Sequence, residues 1–336
     1  MSFSIHYLVN DLDLINKIEG FLLEWRNPSL FIETFTSGST GKPKRIKISK
    51  EQMIASAKMT GEFLKIKKNE NALLNLSIDS IAGKMMVVRA VILELNLYVT
   101  SVSNNPFKDQ INLPPIDFIA LVPIQVQRVL NENYSSLLKI RNIIIGGGEV
   151  SNQIINNLQK LGVNAFQTFG MTETISHFAM RKISPIYNNN YSTLPGITIS
   201  KDSSDRLIVN APNLAIENLA SNDIVELINP TTFNWKGRAD FVINSGGIKL
   251  HPEVIEQKIS DIIPIPYFIS SEKDDILGNR LILLIETSKD NSSQIKKEDL
   301  KSVLSKYELP KKIYTLEKFI RTSTNKINRI ETLKLI

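Results

Sequence analysis

Thr36-Ser-Gly-Ser-Thr-Gly-Lys-Pro-Lys44 concentrates hydroxyls, glycines and lysines in one short stretch directly after an apolar run. Gly38 and Gly41 let the main chain come close against a ligand, and successive N–H groups form an anion-binding concavity. Ser37, Ser39 and Thr40 add hydroxyl donors, and Lys42 and Lys44 add point charges that follow phosphate oxygens. The chemistry this equips is a grip on phosphates. A Walker A loop is excluded, because two residues instead of four separate the glycines and Pro43 follows Lys42. The same residue types also build a solvated hairpin turn, so the functional reading needs support from elsewhere in the chain.

That support comes from further clusters. Gln167-Thr-Phe-Gly-Met-Thr-Glu173 lies where a strand is expected to end and a helix to begin. Ligands collect at the carboxyl ends of strands in an open α/β sheet. There Glu173 offers Mg²⁺ a hard carboxylate oxygen, and Thr172 offers a donor to a phosphate or a developing negative charge; helix capping is the alternative use of the same pair. Gly146-Gly147-Gly148-Glu149 follows another apolar run, and three glycines let backbone lie against a flat ligand or simply make a tight turn. Asp223, Gly237-Arg238-Ala-Asp240, Gly246-Gly247-Ile-Lys249 and Arg321-Thr-Ser-Thr-Asn-Lys326-Ile-Asn-Arg329 complete the series.

In this order and at these intervals the strings resemble the motifs of the adenylate-forming superfamily, which includes acyl-CoA synthetases, luciferases and peptide-synthetase adenylation domains. The resemblance implies that Thr36, Ser37, Gly38, Ser39, Thr40, Gly41 and Lys44 bind ATP phosphates. It implies that Phe169 stands against adenine where a tyrosine is usual, and that Gly146, Gly147 and Gly148 line the acyl and adenine pockets. Asp223 resembles the aspartate that accepts both ribose hydroxyls, and Arg238 the arginine facing ribose and phosphate. Thr172 and Glu173 resemble the Thr-Glu of the family signature, and Lys326 the catalytic lysine bridging the substrate carboxylate and the α-phosphate. Asp240 falls at the family's hinge, with Gly246, Gly247 and Lys249 on the face turned toward coenzyme A. The chain departs from the pattern at Asn222 and Asn325, where glycine is usual, and at Ile320, where proline is usual. Asparagine is the best non-glycine resident of left-handed turns, which favours preserved loops. With 35 residues before the phosphate string, the chain reads as an abbreviated member.

These residues have to be positioned by ordered elements. From about residue 30 to 180, short apolar runs alternate with segments of helical period, predicting α/β architecture with a mostly parallel sheet flanked by helices. Strands are predicted at 31–36, 72–76, 96–102, 118–122, 142–145 and 165–168, and helices at 50–66, 81–93, 124–131 and 151–161. Closely spaced alternation over 193–245 predicts a small antiparallel layer. A compact α+β unit with helices at 251–259 and 297–305, strands at 264–270 and 280–286, and a terminal tail is expected after it. The expected domains are 1–239, a large ATP- and acyl-binding lobe, and 240–336, a small mobile domain carrying Lys326.

Composition narrows the classes. With 42% apolar residues in 336, the chain can bury a large core and a smaller one. Its 40 basic and 34 acidic residues leave a mild +6, without basic runs, which argues against nucleic-acid binding. The start has no secretory pattern, no apolar stretch reaches membrane-spanning length, and the absence of cysteine fits a reducing cytoplasm. Any thiol in the reaction must therefore come from a substrate.

The acid is addressed by Asp79-Ser-Ile-Ala-Gly-Lys-Met-Met86 and by Gly170-Met-Thr-Glu-Thr-Ile-Ser-His177. Together with the small size they look most like bacterial o-succinylbenzoate–CoA ligases of menaquinone synthesis. That likeness places Ser176 and His177 beside the aromatic acid; a satisfied core or helix-surface histidine is the alternative for His177. Lys84 or Arg89, five apart on a predicted helix and so diverging, is available to neutralise a second carboxylate, or both are surface residues of an amphipathic helix. ATP, Mg²⁺ and coenzyme A are the implied co-reactants. The alternatives are ligation of another aryl or fatty acid, loading of a carrier protein, or non-catalytic nucleotide binding.

Overall fold

The runs Ile116–Leu121 and Ile140–Ile145 are mostly apolar, the pattern of strands covered on both faces. Both are parallel strands in the computed structural model, which describes residues 3–35, 45–108, 113–287, 297–322 and 327–336. The chain divides into two compact units: Met1–Ser200 with Ile208–Leu219 and Leu227–Asn234, and Lys201–Leu207 with Ala220–Glu226 and Trp235–Ile336.

The first unit runs β1 (Ser4–Tyr7), α1 (Leu12–Arg26), β2 (Phe31–Phe35), β3 (Arg45–Ser49), α2 (Lys50–Leu64), β4 (Asn71–Leu74), α3 (Ile81–Ile92), β5 (Asn96–Val99), β6 (Ile116–Leu121), α4 (Pro123–Glu132), the short α5 (Tyr134–Leu137), β7 (Ile140–Ile145), α6 (Asn152–Leu161), β8 (Ala165–Gly170), β9 (His177–Ser184) and β10 (Tyr191–Thr193). Four strands follow, β11 (Thr198–Lys201), β12 (Arg206–Ala211), β13 (Ile216–Asn229) and β14 (Thr232–Arg238), whose residues are shared between the units. The sheet order is β1-β5-β4-β6-β7-β8-β9-β10-β14-β13-β12-β11. It is parallel from β1 to β8 and antiparallel from the β8–β9 pair to the β10–β14 pair.

The predicted α/β class with its antiparallel layer is therefore the observed one. One strand differs in its partner. The strand predicted at 31–36 was placed in the parallel sheet, but among the described residues β2 pairs only with β3, antiparallel, from Phe31↔Ser49 to Phe35↔Arg45. Arg45-Ile-Lys-Ile-Ser49 alternates with period two, so it offers one apolar face to a returning strand. Capping explains where the helices begin. Ser49 opens α2 with a capping box to Gln52, Ser80 accepts the Gly83 N–H of α3 at 3.2 Å, and Ser151 accepts the Ile154 N–H of α6 at 3.4 Å. Leu121, Ile143, Ile145, Ile154 and Leu158 meet in the core beneath β6, β7 and α6.

The second unit continues with β15 (Ile243–Ser245), β16 (Ile248–Leu250), α7 (Pro252–Ile259), β17 (Tyr267–Asp274), β18 (Gly278–Glu286), α8 (Lys297–Lys301), β19 (Lys312–Leu316) and α9 (Arg329–Leu333). β18 lies between antiparallel β17 and parallel β19. α7 packs Ile255 and Ile259 against Ile269, Leu281 and Leu283. The predicted tail is thus partly a third strand, missed because Lys312-Ile-Tyr-Thr-Leu316 is short and half exposed. Among the described residues, no helix is long and apolar enough to cross a membrane.

Candidate active site

β7 and β8 are parallel neighbours in the register Ile145↔Gln167, so the loops that leave them emerge at one carboxyl edge of the sheet. After β7 come Gly146, Gly147 and Gly148, the last two exposed. Thr168 donates through Oγ1 to the Ile145 carbonyl at 3.2 Å, and a Cβ at position 146 would stand 2.4 Å from that hydroxyl. The glycine is needed there for close approach. Phe169 is half-buried among Phe178, Tyr191 and Phe233, with ring centroids 5.2–5.6 Å away.

The helix expected after Gly170 is instead a single 3-10 turn, Thr172–Thr174, from which the chain returns antiparallel as β9. The Thr174 hydroxyl closes this turn with the Met171 N–H at 3.0 Å and the Ser176 carbonyl at 2.8 Å, contacts only a doubling-back chain can make. Ile175 pays with a φ of 65°, a strained value for a β-branched residue. Thr172 is half-buried and Glu173 is exposed on the turn. Among the described residues, no cluster of three histidines or carboxylates could hold a metal unaided. A single carboxylate suits Mg²⁺, which is ordinarily completed by substrate phosphates and water.

Beyond the turn, the structure brings together four side chains from three elements. Arg89 of α3 is 2% exposed and donates from Nη2 to the Ser176 hydroxyl at 3.1 Å. Its Nη1 lies 3.9 Å from Met86 Sδ, and its Nε–H has no acceptor among the described residues. Burial draws its value down to about 10, which leaves it charged at neutral pH. His177 is 8% exposed, with Nε2 3.2 Å from Thr60 Oγ1 of α2 and Nδ1 3.4 Å from Ser176 Oγ. Burial, and then the nearby Arg89 charge, hold its value well below the ordinary 6.5, so it is neutral. Lys84 is elsewhere: its amine donates to the Glu33 carbonyl at 3.0 Å and lies 5.6 Å from the Phe21 ring. Of the two helix cations, Arg89 accompanies Ser176 and His177 and Lys84 does not. Thr60 escaped the sequence reading; its signal is Ser56 and Thr60 spaced i,i+4 on an otherwise apolar buried face of α2.

In the second unit, Asp223 is buried and accepts from Trp235 Nε1 at 2.9 Å, with Arg238 Nη1 at 3.7 Å from its other oxygen. Trp235 was not anticipated, since nothing in spacing alone ties an indole twelve residues downstream to that carboxylate. Asp240 accepts from Asn222 Nδ2 at 2.7 Å and pairs with Arg238 at 3.5 Å. Gly246 and Gly247, at φ 57° and 81°, make the two-residue turn of the β15–β16 hairpin. Lys249 beside them is exposed. Glu256 of α7 accepts the Ile269 N–H and Arg329 Nη2, each at 2.7 Å, and Arg329 lies over Phe241 at 4.9 Å. Arg321 pairs with Glu286, bridges to Ile327, and Asn328 N–H donates to the Ile320 carbonyl at 2.8 Å. The string 36–44 and Lys326 lie outside the described residues.

The family model described as AMP-binding enzyme matches residues 24–205, the span that carries this sheet edge. The chain belongs to that family. It is 25% identical over 348 residues to the 2-succinylbenzoate–CoA ligase of Staphylococcus epidermidis strain ATCC 12228, spanning 96% of this chain and 73% of the relative. Among solved structures, an acyl-CoA synthetase (AMP-forming)/AMP-acid ligase II-like protein from Dyadobacter fermentans is 33% identical, with TM-score 0.66, covering 96% of this chain and 94% of the other. The o-succinylbenzoate CoA synthetase of Bacillus subtilis in complex with the acyl-adenylate intermediate shares the fold at TM-score 0.77, 22% identical, over 89% of this chain and 68% of the other.

Proposed function

We propose that the chain is an AMP-forming acid–CoA ligase that activates o-succinylbenzoate. Family membership supplies the reaction class: the acid's carboxylate attacks the α-phosphorus of ATP, pyrophosphate leaves, and the coenzyme A thiolate then displaces AMP from the acyl carbon. The observation that carries the choice of acid is Arg89, a buried guanidinium with a spare Nε–H and contacts to Met86 and Ser176 but to no carboxylate among the described residues. A buried cation of this kind calls for an anion, and a dicarboxylate brings one besides the group that reacts. The relatives named for 2-succinylbenzoate agree with that choice.

The roles follow from the donor chemistry. Thr36, Ser37, Gly38, Ser39, Thr40, Gly41 and Lys44 bind the phosphates. Glu173 would hold Mg²⁺, which would supply charge neutralisation at the phosphate oxygens, and Thr172 donates to the group that becomes negative. Asp223, steadied by Trp235, keeps acceptor capacity for ribose hydroxyls, and Arg238 stays beside it. Phe169 borders the adenine, and Gly146, Gly147 and Gly148 let it approach. Lys326 neutralises charge between the carboxylate and the α-phosphate. Rotation of 240–336 about Asp240 then replaces Lys326 by the Gly246, Gly247 and Lys249 face for the thiol step. The lack of cysteine suits a cytoplasmic setting. The test is to follow pyrophosphate and AMP release with a panel of acids, with and without coenzyme A. AMP formation from o-succinylbenzoate that depends on coenzyme A is expected, and its absence would remove this assignment.

A further inference from the structure

The donor and acceptor inventory of the buried cluster gives every bond in it one direction. The Thr60 hydroxyl donates its only proton to the Ser56 carbonyl at 2.9 Å, one turn earlier in α2. Toward His177, at 3.2 Å, Thr60 can then only accept, so Nε2 carries the imidazole proton. Neutral His177 must accept at Nδ1, which sets the Ser176 hydroxyl proton toward it at 3.4 Å. With that proton committed, the Ser176 oxygen presents a lone pair to Arg89 Nη2 at 3.1 Å. The backbone holds the same residues from below. Gly170 leaves no room for a Cβ against the Ser176 carbonyl and His177 Cα, 2.4 and 2.5 Å away, and Ile175 keeps its strained φ just before them.

We infer that Thr60 and His177 are positioning residues for the acid-binding cation. They act as a fixed-tautomer relay, Arg89→Ser176→His177→Thr60→Ser56, that holds one edge of the guanidinium and leaves its Nε–H for the substrate's non-reacting carboxylate. The inference rests on the reading of Arg89 given under the proposed function. It assigns His177 a place one layer behind the acid: its two nitrogens are already engaged, so its contribution is orientation of the Ser176 hydroxyl. Thr60 serves the same end from α2 by refusing any tautomer but one. The expected cost of breaking the relay is a looser guanidinium and a weaker grip on the second carboxylate, with the nucleotide steps untouched.

The test compares o-succinylbenzoate with 4-oxo-4-phenylbutanoate, the same acid without its ring carboxylate, in the adenylation half-reaction. Thr60→Val keeps the shape and removes the acceptor. It should raise KM for o-succinylbenzoate about five- to tenfold, the loss of about one hydrogen bond, with kcat, KM for ATP and KM for the monoacid unchanged. His177→Leu should do the same, and His177→Asn, whose amide oxygen can accept from Ser176, should recover most of the loss. Imidazole ¹⁵N signals, readily assigned with only three histidines in the chain, should show protonated Nε2 and bare Nδ1 from pH 6 to 8. If Arg89→Met abolishes discrimination between the two acids while Thr60→Val and His177→Leu leave it intact, the relay is wrong. An Nδ1–H tautomer or an imidazolium at pH 7.5 would overturn it as well. Discrimination that survives Arg89→Met instead overturns the dicarboxylate reading itself.

Discussion

At Gly170 the sequence motif and the local geometry meet closely. Its own chain returns within 2.4 Å of where a Cβ would stand, and the atom in the way is main-chain, with no rotamer to escape into. Gly170→Ala should therefore cost about 1–3 kcal/mol of stability, as overpacking does. It should also raise KM for the acid more than KM for ATP, because the displaced atoms belong to Ser176 and His177; melting curves and half-reaction kinetics check both. His177 adds a pH signature. Its folded value is depressed below 6.5, so its neutral form contributes stability that is complete above about 6.5 and is lost as the pH falls toward the folded value. Down that window wild-type stability should drop by about 1.4 kcal/mol per pH unit from this group alone. His177→Asn should flatten the slope of unfolding free energy just below pH 6.5. What could be read from sequence here was the motif. What could not was which of Lys84 and Arg89 lies beside Ser176, because that is set by the packing of α3, whose Gly83 stands with the Ser77 carbonyl 2.2 Å from its absent Cβ while Lys84 reaches Glu33.

Elements were the most legible level, since capping residues and apolar runs are local signals. Ser49, Ser80 and Ser151 start α2, α3 and α6, and β6, β7 and β8 lie where their apolar runs indicate. The helix expected after Gly170 failed because Thr174 and Ile175 take up a turn that is set by the pairing of β9, a non-local event. α7 illustrates what an element can transmit. Glu256 links it to β17 through the Ile269 N–H and to α9 through Arg329, while Glu253 Oε1 accepts the Arg238 N–H at 3.3 Å beside Gly237. Burial raises the values of both carboxyls, and the Arg329 charge opposes the rise. Removing one member of such a buried pair strands the other, so Glu256→Ala should destabilise the protein by about 3–5 kcal/mol. Glu256→Gln, which keeps an acceptor for Ile269, should cost less. Chemical denaturation of both variants decides this, and equal losses would place the stabilisation in packing instead of in the ion pair.

At the scale of the whole molecule, the question is how a chain of this length runs two half-reactions. Asp240 sits in the short turn Ala239–Phe241 after β14, and its carboxylate meets Asn222 and Arg238. Side-chain tethers of this exposed kind are weak, roughly 0–1 kcal/mol each, so they permit a change of backbone angle that a buried strand would resist. Proline at 240 fixes φ near −65° and removes that freedom. Asp240→Pro should leave single-turnover pyrophosphate release within about threefold of wild type and slow coenzyme A-dependent AMP release by at least about tenfold, the division expected when domain rotation separates the steps. Lys326→Ala should give the mirror image, with adenylate formation severely slowed and supplied acyl-adenylate still consumed by coenzyme A. The pair of variants is informative because the two sites lie in one unit of the chain, so a general loss of folding would depress both half-reactions in both proteins. Normal turnover in Asp240→Pro would move the hinge elsewhere, and equal loss of both steps in Lys326→Ala would take the lysine out of the adenylation chemistry.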